Sequence, residues 1–173
     1  AAYGVLMYVT MIFLAAFIGY SVGTAPVVGY HYGAQNHAEM KNLLKRSLVL
    51  ISLFSVSMVI LAQVLSAPLS VLFVGYDESL FALTKRAFLF YSFSFLFAGL
   101  AIYGSSFFTA LGNGGVSALI SFLRTLVFQI IAVLVLPLLW GIDGIWISVV
   151  VAEFMAALLT AVLMILKRTK YKY

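Results

Sequence analysis

The chain has 173 residues, of which 65% are hydrophobic and 9% charged, with ten basic and five acidic side chains and a net charge of +5. A soluble domain carries about a quarter charged residues. This composition, with a mean hydropathy of +1.17, therefore excludes a soluble enzyme or a nucleic-acid-binding domain. Cysteine is absent, which removes disulfides, thiolate metal sites and a cysteine nucleophile. A membrane helix needs roughly 20 apolar residues to cross about 30 Å of hydrocarbon. The chain is thus expected to be an all-α polytopic membrane bundle of five transmembrane helices with short loops. It opens on Ala1-Ala2-Tyr3 without Met and is apolar from the start. With no basic n-region, this opening reads as part of a longer protein rather than as a signal peptide.

The first predicted span covers residues 2–30 and carries no charge. Gly19 and Gly23, and Gly29 and Gly33, have the small-xxx-small spacing that lets membrane helices approach closely. Pro26 removes a backbone donor and is expected to bend the helix, as a packing kink or as a hinge facing a cavity. A polar stretch from His31 to Arg46 follows. The second span is 47–67, and Pro68 is expected to close it. Residues 69–74 are too short to cross and are expected at the interface, followed by a loop at 75–79. The third span, 87–111, is rich in Phe and Tyr and leads into the Gly112-Asn113-Gly114-Gly115 turn. The fourth is 116–139, then a short turn around Trp140-Gly141, then the fifth at 145–166 and a basic tail at 167–173.

Orientation follows from Lys and Arg in the flanking segments. The first loop, the glycine turn and the tail share one side. That side holds Lys41, Lys45, Arg46, Lys167, Arg168, Lys170 and Lys172, against Lys85 and Arg86 opposite. A cytoplasmic C-terminus in the cell membrane is expected. The tail reads as an orientation signal and anionic-lipid anchor, with no nucleic-acid partner.

Only Arg124 and Glu153 are charges deep in predicted spans. Such residues are costly in lipid and face the bundle interior, pair, or line a pathway. Across an antiparallel turn at Trp140–Gly141 their depths differ by roughly 4–5 Å at about 1.5 Å per residue, so they are expected to pair. The pair either locks two helices together, or it leaves Glu153 to exchange a proton or cation under the influence of Arg124. Gln129 lies five residues after Arg124, about 140° round an α-helix and off its face. Gln63 and Gln129 read as interhelical glue. Tyr103 and Ser106 share a face of the third span, suited to helix packing or to an organic cation. No metal-ligand array or catalytic constellation stands out, so no enzyme and no cofactor is expected.

The run Gly19…Gly23-Thr24-Ala25-Pro26…Gly33-Ala34-Gln35-Asn36 followed by Lys41…Lys45-Arg46 resembles the second helix of a lobe in the MATE (multidrug and toxic compound extrusion) family. Phe107-Phe108-Thr109-Ala110-Leu111-Gly112-Asn113-Gly114 resembles the end of that family's fourth helix. Ser121-Phe122-Leu123-Arg124, Pro137-Leu138-Leu139, Gly141-Ile142-Asp143-Gly144-Ile145-Trp146 and Ala152-Glu153 resemble its last two helices. The resemblance implies a twelve-helix transporter of two lobes, with this chain supplying most of the C-terminal lobe and an N-terminal lobe lying elsewhere in the protein. It implies export of organic cations and drugs in exchange for protons or sodium ions. The NorM-like branch carries a carboxylate in its tenth helix. The third span here has no Asp or Glu, a departure that points to the DinF-like or MepA-like bacterial branch. The alternative within the same superfamily is a flippase for lipid-linked oligosaccharide or cell-wall precursors, disfavoured because Arg124 is the one basic residue at depth.

Overall fold

The computed structural model describes residues 2–173. It is all-α, as the composition requires: α1 (Ala2–Gly33), α2 (His37–Val74), α3 (Glu78–Tyr91), α4 (Phe95–Ala110), α5 (Gly114–Phe122) and α6 (Gln129–Tyr171). A 3-10 turn at Ser92–Ser94 joins α3 to α4, and a π turn at Leu123–Phe128 joins α5 to α6. Four continuous helical stretches are long and apolar enough to cross a membrane.

The last of these, Gly114–Tyr171, is two limbs rather than one rod. Gly141 has φ +58° and ψ −134°, a backbone region essentially closed to residues with a Cβ. Arg124 and Glu153 are 29 residues apart, yet their side chains meet at 2.8 Å. A straight helix would hold them about 43 Å apart. The chain therefore doubles back at Gly141, and the bundle makes five antiparallel passes.

Helix ends are fixed by short polar side chains. Asn36 accepts from Glu39 N at 3.2 Å and starts α2. Asp77 accepts from Ser79 N and Leu80 N and starts α3, well before residue 87. These bonds, first that from the Ser79 hydroxyl and then that from Leu80 N, hold the Asp77 carboxyl below the usual carboxylate range. Asn113 caps α5 by accepting from Val116 N at 3.2 Å.

Pro68 does not close the second span, because α2 continues through it to Val74. Proline is tolerated inside membrane helices, because in lipid the rest of the backbone has no better partner than the helix itself. Pro68 removes one bond, that to the Val64 carbonyl, and the helix runs on past it. Pro26 likewise sits inside an unbroken α1. Residues 69–74 are thus the end of a long helix and not a separate interfacial segment.

The α3–α4 stretch is the centre of the bundle. Its apolar window is 61% buried, against at most 33% for the other stretches, and α4 packs on α1, α2, α5 and α6. Contact is closest where α4 carries glycine. A Cβ on Gly104 would lie 2.1 Å from Thr160 Cγ2, and one on Gly99 would lie 2.6 Å from the Phe17 ring. Around Gly19, Gly23 and Gly33 a Cβ would meet nothing within 4 Å. Of the four spaced glycines of α1, only Gly29 meets a neighbour, where a Cβ would lie 3.5 Å from Ala110 O in ordinary contact; the approaches of α4 are tighter.

The C-terminal end is tied back to the bundle. Asn113 Nδ2 donates to the Tyr171 hydroxyl at 2.8 Å, and Tyr171 packs edge-on to Tyr32 and Phe108. Asn113 thus serves as a helix cap and as a tail anchor. Loss of a cap costs about 1 kcal/mol and loss of a side-chain hydrogen bond about as much again. Asn113→Ala is expected to lower stability by about 2 kcal/mol, read as a drop in thermal midpoint in detergent.

Candidate functional site

Arg124 lies in the π turn and Glu153 on the returning limb of α6. Arg124 Nε donates to Glu153 Oε2 and its NH2 group donates to Oε1, each at 2.8 Å. This two-point fork is the strongest and most directional arrangement available to a guanidinium and a carboxylate. The side chains keep 16% and 13% of their exposure, so the pair is mostly buried but not sealed.

Glu153 opens onto a cavity of about 200 Å³ whose polar lining includes Tyr3, Thr10, Tyr91, Ser94 and Gln129. Four passes contribute to it. Both irregular turns of the bundle stand at its wall, since Ser94 belongs to the 3-10 turn and Gln129 follows the π turn directly. Departures of this kind inside membrane helices are tolerated where they line a cavity or are covered by protein.

The π turn corrects the expected position of Gln129. With i to i+5 periodicity, residue 129 comes round to the side of residue 124 instead of falling about 140° away. Gln129 consequently shares the Glu153 cavity and is not interhelical glue. Gln63 does serve as glue: its Nε2 donates to Leu89 O at 3.0 Å and to Ser92 Oγ at 2.6 Å, fastening α2 to the 3-10 turn.

Tyr103 and Ser106 share a face of α4, and that face meets α1. Ser106 Oγ donates to Ser21 O at 3.0 Å. Tyr103 is 1% exposed, and its ring lies 6.2 Å from that of Tyr20, whose hydroxyl donates to Ser47 Oγ at 2.9 Å. Neither residue lines the Glu153 cavity. Gly19, Gly23 and Pro26 are exposed on α1. Tyr3 and Thr10 were not singled out from sequence. They lie on α1 and reach the cavity through packing that no local pattern signals.

Outside the cavity, Arg86 forms an ion pair with Asp143. It ties the middle of α3 to the turn that follows Gly141.

These features define a polytopic helical membrane bundle with an intramembrane carboxylate–guanidinium pair at a polar cavity. The MatE family model matches residues 1–135, and the chain belongs to that family. Among solved structures, the bent form of the Vibrio cholerae MATE transporter VcmN superposes with a TM-score of 0.90 at 19% identity, over 99% of this chain and 39% of that one. An outward-facing multidrug resistance MATE transporter of the MOP superfamily gives 0.91 at 18% identity, over 99% and 39%. A MOP superfamily transporter from Pyrococcus furiosus gives 0.90 at 19% identity, over 100% and 39%. The chain thus spans about 39% of the length of the transporters it matches. No curated protein matches the sequence.

Proposed function

We propose that the protein carrying this chain is a secondary active antiporter that exports organic cations and drugs in exchange for protons or sodium ions. In this reading the chain supplies five helices of a C-terminal lobe in the cell membrane, with its C-terminus in the cytoplasm and an N-terminal lobe completing the pathway. Glu153 is the exchanging carboxylate, and Arg124 holds it and competes for its charge. The observation that carries the reading is the forked pair opening onto a polar cavity, in a chain of the MatE family. A carboxylate that trades one cationic partner for another changes the charge of the cavity without leaving it. Such an exchange lets ion binding and lobe movement be linked, since transporter sites of this kind lie between lobes that rock about the midplane. Tyr103 and Ser106 belong to the packing that transmits the movement.

The test is efflux of a panel of organic cations from drug-sensitive cells expressing the full-length protein. Expression is expected to lower accumulation of at least one cation. Glu153→Gln is expected to return accumulation to that of vector alone at equal membrane abundance. If full-length expression changes the accumulation of no cation, the antiport reading falls.

A further inference from the structure

Between the first turns of α2 and the last turns of α6 lies a groove of about 420 Å³, independent of the Glu153 cavity and at the other end of the bundle. Its α2 wall is formed by residues at helical spacing, with Lys41 and Lys45 nearest the helix start and Leu48 and Val49 deeper. The α6 wall runs antiparallel and has the same order of polarity, with Arg168 near the helix end and Met164 and Ile165 deeper. Both walls therefore grade from cationic at the membrane surface to apolar toward its centre, over about 10 Å of helix.

The floor is pinned in place. The Tyr173 hydroxyl donates to Met164 O at 2.7 Å, and the Tyr173 ring meets Phe107 edge-on. Arg168 Nε donates to Tyr173 O at 3.0 Å, which holds the guanidinium at the groove wall. Among the described residues, no Asp or Glu side chain forms a salt bridge with Lys41, Lys45 or Arg168.

We infer that this groove binds one anionic phospholipid, with its phosphate between Lys41, Lys45 and Arg168 and an acyl chain laid along Leu48, Val49 and Ile165. The charges match a phosphate, and the depth order matches a lipid standing in its leaflet. Basic pockets between membrane helices on the cytoplasmic side recognise acidic headgroups by this physics. A free anion would use the rim and leave the apolar lane empty. The inference requires that the chain lies in a membrane, and it does not rest on the antiport reading.

The test uses the full-length protein, purified in neutral detergent and titrated with phosphatidylglycerol or with phosphatidylcholine of the same acyl length. Retained lipid is counted by native mass spectrometry. One phosphatidylglycerol is expected to be held in preference to phosphatidylcholine. The triple variant Lys41→Gln/Lys45→Gln/Arg168→Gln is expected to weaken its retention by at least about tenfold. The control triple variant Lys167→Gln/Lys170→Gln/Lys172→Gln is expected to leave retention within about twofold. Leu48→Trp, which fills the lane and keeps every charge, is expected to weaken retention as well. The inference is overturned if the two lipids bind equally, if the control triple variant loses as much as the groove triple variant, or if Leu48→Trp has no effect. Full displacement by inorganic phosphate would also overturn it, by assigning the rim to an anion alone. So would a full-length protein that retains no lipid because another of its segments fills the groove.

Discussion

Glu153→Ala and Arg124→Ala are each expected to destabilise the protein by about 3–5 kcal/mol, because each leaves one charge unpaired inside the bundle. The double change Arg124→Met/Glu153→Leu, which keeps the volume and removes both charges, is expected to lie within about 1 kcal/mol of the parent or above it. The forked geometry and low exposure of the pair make the single losses large. The cost of desolvating both ions makes the double loss small. Thermal midpoints of the full-length protein in detergent give the comparison. Additive single and double effects would mean that the two residues do not act on each other in solution. The same variants separate a lock from a coupling site. A double variant that is stable and still exports cations leaves the pair with a structural role alone. A stable double variant that has lost export keeps Glu153 in the transport chemistry.

Gly144→Ala is expected to have the next largest effect. A Cβ at this position would stand 2.3 Å from Leu136 O, 2.6 Å from Leu136 C and 2.8 Å from Pro137 Cα. All three are backbone atoms of the opposite limb, so no side-chain rotation relieves the clash. The limbs must move apart, at a cost near or above the upper end of the usual 1–3 kcal/mol for overpacking. The separation acts at the base of the hairpin that brings Arg124 to Glu153, so the ion pair should loosen with it. Gly114→Ala is the matched control, because a Cβ there meets nothing within 4 Å, and it should change stability by no more than about 0.5 kcal/mol. Equal thermal midpoints for the two variants would mean that the limbs are not in contact at Gly144.

Part of this arrangement was legible in the residues alone. Two isolated charges in apolar runs have few partners, and an antiparallel turn at Trp140–Gly141 converts sequence distance into depth. Arg124 and Glu153 could therefore be matched without coordinates. Caps such as Asn113 are equally local. Pro68 was misleading because proline ends helices in water, whereas in lipid the backbone has no better alternative than to remain helical. Gly19, Gly23 and Gly33 of α1 were misleading for another reason: spacing defines a face of small residues, but not the neighbour that the face meets. Gly104 lies against Thr160, far along the chain, and nothing near either residue signals the meeting. The π turn left no trace in composition, because Leu123–Phe128 looks like any apolar helical run with one arginine in it.

That turn also lets the span absorb a change of length. A π turn holds about one more residue per turn than the α-helix on either side of it. Deleting a single residue from 123–128 would restore regular pitch, and five residues at about 100° each carry the chain nearly as far round as six in the wider turn. The limb that follows would keep its facing, and Gln129 would stay at the Glu153 cavity. The change would fall inside the turn, where it would move Arg124 relative to the carboxylate it holds. Proteins of this fold that differ here by one residue would keep the same cavity wall and differ in where the cation stands.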